Sequence, residues 1–373
     1  MSVVPHPPSF LPPPSPAGPS NPSRQTGTSS PRNFDVIASY RRALDNDNVA
    51  HPIAAIMALV ELMEASTAST ITGLASELTV GRRLLIDTQP SLGVRAGCQL
   101  WERFVATFRT DDLPDFPNYK KDLIDTGRLF CSVTAGQCRE KIAALAVDFL
   151  RDDCVILTHS FSRTVIKTIL RAHAQHKRVK VYVTEARPSC LGLRTHQILT
   201  EHQIPCEVIL DSAVAYVMER VDMVLVGSEA VVESGGLVSS VGTYQVALVA
   251  KAMQKPFYAL AESYKFLRHY PLSQTDLPLA RLAPGASSDP PLTFPAIIPQ
   301  APTNRPSTTS TTAPGTPSKS AAGSIKEMSA EMIARNPMVD ITTPDLIDFI
   351  ITDLGAPLSP TSVSQYLVAQ FSS

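Results

Sequence analysis

Residues 222–252 read DMVLVGSEAVVESGGLVSSVGTYQVALVAKA, and this stretch decides the fold. It opens on a solid apolar run, Met223 to Val226, of the kind that forms a strand buried on both faces. The run ends in Gly227-Ser228-Glu229, where a parallel strand delivers its C-terminal edge. A glycine-rich turn (Gly235, Gly236) follows, then Gly242-Thr243 at the start of an apolar helix. Open α/β sheets hold ligands outside such strand ends, and a helix N-terminus made of small residues suits phosphate. The stretch therefore points to a pocket for a nucleotide or sugar phosphate, occupied or vestigial.

Working outward, four more runs share this character: CVILTH from Cys154, VKVYVTEA from Val179, CEVILD from Cys206 and FYALAES from Phe257. Helical stretches separate them at Thr164 to His176, Leu193 to Glu201, Ala213 to Arg220 and Tyr244 to Gln254. Strands alternating with helices imply βαβ units and a mostly parallel, Rossmann-like sheet with right-handed crossovers. Upstream, from Phe34 to Leu150, apolar residues recur at helical spacing instead; Ile53, Ile56, Leu59, Val60 and Met63 show it most clearly. The expected organisation is a disordered Pro/Ser-rich tail (1–32), a helical N-terminal domain (33–150) and a Rossmann-like α/β domain (151–373). A low-complexity insertion interrupts the last of these at 284–323. The end of the chain, SPTSVSQYLVAQF, predicts a capped amphipathic helix with Val363, Tyr366, Leu367 and Phe371 on one face.

Composition narrows the function classes. The chain has 373 residues, 44% of them hydrophobic, and a net charge of −1, which gives no whole-chain case for binding nucleic acid or an acidic membrane. Six cysteines lie scattered without CxxC spacing, against a zinc site or disulfide framework and in favour of a reduced compartment. No apolar run approaches the roughly 18 residues of a membrane span. The N-terminus lacks a basic and then apolar leader, so no secretory signal is expected and the cytoplasm is the default.

The strand ends gather His159-Ser160, Glu185 with Arg187, Asp211-Ser212, Gly227-Ser228-Glu229 and Glu262-Ser263. Acids, an arginine and hydroxyls at one sheet edge suit a small-molecule site. Ser160, Arg187, Arg194, Asp211, Glu229, Gly242 and Thr243 are the candidate site residues. Each has a plainer reading: Asp211 or Ser212 as a helix N-cap, Ser160 as a cap for the next helix, the arginines as surface groups. His159 and Ser160 are adjacent on a strand and point to opposite faces, which is poor geometry for a Ser-His pair. No G-x-S-x-G elbow, Walker loop or G-x-G-x-x-G follows a strand. No metal or cofactor is expected.

The segments ILTHSFSRTV (156–165), VYVTEARPSCLGLR (181–194), residues 208–252 and KPFYALAESYKFLRHYPLSQTDLP (255–278) together resemble a known family. It comprises the regulatory subunits of translation initiation factor 2B and their relatives, the methylthioribose-1-phosphate and ribose-1,5-bisphosphate isomerases. AESYKFLRHYPL is the most specific stretch and looks like the alpha subunit. The resemblance implies a regulatory, non-catalytic subunit of the guanine nucleotide exchange complex for initiation factor 2. It implies a homodimer that bridges the complex, partners in the beta, gamma, delta and epsilon subunits, and inhibition by initiation factor 2 phosphorylated on its alpha subunit.

The alternative is a sugar-phosphate isomerase or sensor. The isomerases carry a cysteine where this chain has Ser160 and an aspartate where it has Glu229. A hydroxyl is a far weaker acid than a thiol, whose ordinary pKa is about 8.5, and misplacement near 1 Å costs on the order of a hundredfold. The family often has Asn-Lys where this chain has Ser239-Ser240, which removes a cation from the phosphate side. The composition of the insertion cannot support a packed core, so deleting residues 286–322 is expected to leave the homodimer intact. Loss of the dimer on size-exclusion chromatography with light scattering would refute that.

Overall fold

Helix starts in the first part of the chain follow their capping residues. The computed structural model describes residues 34–46, 48–108, 115–277, 328–329, 332–333 and 336–372; the expected tail at 1–32 and insertion at 284–323 lie outside them. Asp35 accepts from the Ile37 and Ala38 N–H groups and opens α1 (Val36–Leu44). Thr70 and Ser91 do the same for α3 (Ile71–Thr88) and α4 (Leu92–Thr107). Between them α2 (His51–Ala65) has Ile53, Ile56, Leu59, Val60 and Met63 buried, with Ala54, Ala55 and Ala58 buried on its other sides. A helix apolar all round belongs at the centre of a bundle, and α2 packs against α1, α3, α4 and α5 (Phe116–Leu129). The single helical stretch expected over Tyr119 to Leu150 is divided: α5 passes through a π-helical turn (Phe130–Thr134) into α6 (Ala135–Ala146).

At Cys154 the pattern changes as expected. Strands β1 (Cys154–His159), β2 (Val179–Thr184), β3 (Cys206–Ile209), β4 (Met223–Gly227) and β7 (Phe257–Leu260) are joined by β10 (Phe349–Ile351) in one parallel sheet of order β10-β7-β4-β1-β2-β3. The crossovers run through α7 (Arg163–Ala174), α8 (Gly192–Glu201), α9 (Val214–Met218) and α10 (Thr243–Ala252). The solid apolar runs divide their side chains between two cores. Leu157, Val224 and Val226 pack with α9, α10 and the C-terminal helix α11 (Ser362–Ser372), whereas Ile156 and Leu225 pack with α6, α7 and α8. Burial on both faces is why these strands show no polar alternation. The expected C-terminal helix forms as α11, with Val363 and Leu367 of its predicted face buried in the first core.

A second sheet surrounds the expected glycine-rich turn. Gly235-Gly236 lie in the turn of a hairpin whose strands the sequence reading did not include: β5 (Ala230–Val232) pairs antiparallel with β6 (Leu237–Ser240). With β8 (Phe266–Leu267) and β9 (Val339–Thr342) they form a sheet of order β8-β5-β6-β9. Its buried face, Val232, Val238, Leu267 and Ile341, meets Leu92 and Ala96 of α4 and so joins the helical region to the sheets. Among the described residues no helix is long and apolar enough to cross a membrane.

The α2–α4 crossing depends on Gly97, where an added Cβ would lie 2.3 Å from the Pro52 carbonyl oxygen. Gly97→Ala is therefore expected to cost about 1–3 kcal/mol through overpacking, read as a lowered urea midpoint. An unchanged midpoint would mean that the two helices part freely.

Candidate functional site

The chain runs from β1 outward to β2 and β3, then returns to the other side of β1 with β4. The gap beyond the ends of β1 and β4 is thus the topological switch point, where open α/β sheets hold ligands. A cavity of about 220 Å³ opens there. Its floor is the strand-end groups Ser160, Gly227-Ser228-Glu229 and Glu262, and its far wall is the N-terminus of α2, Ala50 to Pro52.

Ser160 is buried and sits in the left-handed region at φ +61. Non-glycine residues held there cost about 1–3 kcal/mol and cluster at ligand-facing positions. Its carbonyl accepts from the Thr195 hydroxyl (2.7 Å), and its Oγ accepts from the Ser240 hydroxyl (3.1 Å). His159 also lines the cavity, but its ring makes its hydrogen bonds to groups other than Ser160, which lies just outside β1. Its Nε2 donates to the Val241 carbonyl (2.8 Å), and its Nδ1 accepts from Thr184 (2.6 Å). Burial lowers its pKa, so the ring is neutral and serves the packing. The helix cap is Ser162, which accepts from Val165 N–H, and not Ser160.

Glu229 reaches across to the helical region, where the Ser91 hydroxyl donates to its Oε1 (2.7 Å). That hydroxyl also accepts from Gly93 N–H as the cap of α4, so one serine serves a helix and the cavity wall. His51, at the start of α2, shares a hydrogen bond at Nδ1 with the buried Tyr40 hydroxyl (2.7 Å). Burial, together with Arg163 and Lys265, holds its pKa below the ordinary value against the pull of Glu229.

Two cations line the cavity. Arg163 donates to the Val49 carbonyl (2.8 Å), and Lys265 donates to the Ser228 carbonyl (2.7 Å). Lys265 Nζ also lies 2.7 Å from Glu262 Oε2. Glu262 is 1% exposed; its Oε1 accepts from Thr164 (2.8 Å) and lies 3.3 Å from Arg139 Nε. Burial pushes this carboxyl up, but Lys265, Arg139 and Thr164 outweigh burial and hold it at about 2. Ser239 and Ser240 are both engaged, Ser239 with the Gly227 carbonyl (2.9 Å) and Ser240 with Ser160. The positive charge in the cavity comes from Arg163 at the start of α7 and from Lys265 beyond β7.

Of the residues named from sequence, Ser160, Glu229 and Thr243 line the cavity. Arg187 and Asp211 are brought together elsewhere, at the turn after β2, whereas Arg194 lies on α8 beside the cavity-lining Phe161. Asp211 accepts from the Ala186 (2.9 Å) and Arg187 (2.8 Å) N–H groups, so its carboxylate fixes that turn and caps no helix of its own. Arg187 pairs with Glu185 (3.1 Å), and the Arg194 guanidinium lies 4.4 Å over the Phe161 ring. Gly242, at φ +104, starts α10, and both its N–H and that of Tyr244 are taken by Asp340 Oδ2 (2.7 and 3.1 Å). Burial raises Asp340 to about 6 despite those two N–H groups. The sequence reading passed over His51, Arg163, Lys265 and Asp340; the one usable signal was Glu262 at the end of an apolar strand.

A carboxyl held below its unfolded value of 4.5 contributes stability that is present above that value and lost as the pH falls toward about 2. Glu262→Gln, which strands buried cations, is expected to cost about 3–5 kcal/mol at neutral pH. The deficit should narrow between pH 4.5 and 2. Urea denaturation at pH 7 and pH 3 measures this; a deficit independent of pH would trace to packing and not to charge.

The initiation factor 2 subunit family matches this chain over residues 47–358. The chain is similar to the translation initiation factor eIF2B subunit alpha of Dictyostelium discoideum, 35% identical over 342 residues, covering 90% of this chain and 97% of that protein. It is 39% identical over 127 residues to the ribose 1,5-bisphosphate isomerase of Methanocaldococcus jannaschii, covering 34% of this chain and 41% of that one. The crystal structure of the translation initiation factor eIF-2B from Pyrococcus horikoshii shares the fold, with a TM-score of 0.62 at 22% identity over 87% of this chain and 97% of that one.

Proposed function

The chain belongs to the initiation factor 2 subunit family, and from that premise we propose that it is a regulatory, non-catalytic subunit of the guanine nucleotide exchange complex for translation initiation factor 2. The observation that carries this reading is the near full-length similarity to an eIF2B alpha subunit, set against similarity to an isomerase over 34% of the chain. In this reading the α/β domain (151–373) forms a homodimer that bridges two copies of the remaining complex, with beta, gamma, delta and epsilon subunits as partners in the cytoplasm. Leu210 after β3, Tyr216 on α9 and Leu248 on the adjoining α10 stand exposed and offer apolar surface for such contacts. The helical domain (33–150) takes part in sensing initiation factor 2 whose alpha subunit is phosphorylated. A phosphoserine adds charge and three acceptor oxygens, enough to reshape the docking segment without being grasped directly.

The cavity supports a second role, binding of a sugar phosphate without turnover. Arg163 and Lys265 supply positive charge and Glu229 a carboxylate for hydroxyl groups, on residues Ser160 and Thr243 as floor. Ser160 in place of a thiol and Glu229 in place of a shorter acid argue against isomerisation, on the acidity and reach given above.

Purified chain mixed with the beta, gamma, delta and epsilon subunits of factor 2B is expected to form a complex with two copies of this chain, counted by mass photometry. A dimer that ignores the other subunits, or turnover of ribose 1,5-bisphosphate, would overturn the reading.

A further inference from the structure

We propose that Asp340 is an internal anion that closes the N-terminus of α10, so that an anionic ligand entering the neighbouring cavity meets Arg163 and Lys265 and not the helix end. The inference is independent of what the cavity binds and of the complex the chain joins.

The ten-residue helix α10, with Gly242 as its N-cap, presents N–H groups that no capping side chain of its own satisfies. Such an end attracts anions, and it lies beside the cavity, because Ser240 and Thr243 belong to the lining. The positive φ of Gly242 and its contact with His159 leave no room for a capping side chain: a Cβ there would lie 2.7 Å from the imidazole ring. The cap comes instead from another strand. Pairing of β6 with β9 sets Asp340 opposite Ser239, and Oδ2 accepts from both Gly242 and Tyr244 N–H.

A neutral serine or threonine would satisfy one N–H without the cost of burying a charge. Asp340 is 8% exposed, and its second oxygen, Oδ1, is buried with no hydrogen-bond partner among the described residues. The carboxylate therefore does more than fill a donor. Above its raised pKa of about 6 it sets a negative charge against both donors, and a second anion at the same place then meets like-charge repulsion. This accounts for a helix end of the phosphate-binding type that is shut to outside anions while the cavity next to it keeps two cations.

The test uses the full chain as wild type, Asp340→Ala and Asp340→Ser. Thermal unfolding is followed against sodium formate and inorganic phosphate, with sodium chloride at matched ionic strength as reference. The expected result is anion-dependent stabilisation in both variants beyond that of wild type, with apparent affinity tighter by about tenfold, and formate effective because it replaces the missing carboxylate. Should Asp340→Ala fail to fold without added anion and fold with formate, that is the same result in stronger form. If it fails under every condition, Asp340→Ser, which keeps a capping oxygen without charge, decides the matter alone. Equal anion dependence in wild type and variants would overturn the proposal.

Discussion

Glu262 is the group on which the arrangement of the molecule turns. It ends the last central strand of the parallel sheet, fully buried, and holds Thr164 of α7, Arg139 of α6 and Lys265 around its two oxygens. Arg139 in turn donates to the Asn48 carbonyl (3.0 Å), and its neighbour Arg163 donates to the Val49 carbonyl (2.8 Å). These two carbonyls immediately precede α2, the apolar centre of the helical bundle. One carboxylate thereby seats the bundle on the sheet. Buried ion pairs of this kind add little net stability against an apolar alternative, yet are costly to break singly. They specify one relative placement and penalise the others, which is what a cavity built between two regions requires.

That placement creates the cavity. Its floor is the edge of a sheet whose strand order reverses between β1 and β4, and its wall is the start of a helix more than a hundred residues earlier in the chain. The charges are distributed accordingly. Lys265 is balanced locally by Glu262, while Glu229 is held by a serine hydroxyl from the helical region. A pocket with this division of groups belongs to neither region alone, so whatever occupies it bears on how α2 is seated against the strand ends.

Within the family, likeness to eIF2B alpha subunits and likeness to isomerases differ in extent more than in degree: the isomerase similarity is 39% identical but covers 34% of the chain. A shared α/β architecture with different residues at the strand ends is the usual way in which one fold serves catalysis in one branch and assembly or regulation in another.

By itself the sequence determined the local and periodic features. Solid apolar runs specified strands buried on both faces because a parallel sheet covered by helices exposes no polar alternation. Thr70 and Ser91 fix helix starts, and Val363 and Leu367 fix the buried face of α11, because capping and helical periodicity act within a few residues; the cap of α7 is Ser162 and not the Ser160 that the sequence offered. The second sheet escaped notice because β5 and β6 have three and four residues and take their stability from β8, β9 and α4 rather than from their own pattern. The candidate site was half legible for the same reason. Ser160 and Glu229 are marked by their position after apolar strands, whereas Ser91 meets Glu229 across 138 residues and Asp340 meets Gly242 across 98. Only the packed structure decided those contacts, since a hydrogen bond between distant segments leaves no periodic trace in either one.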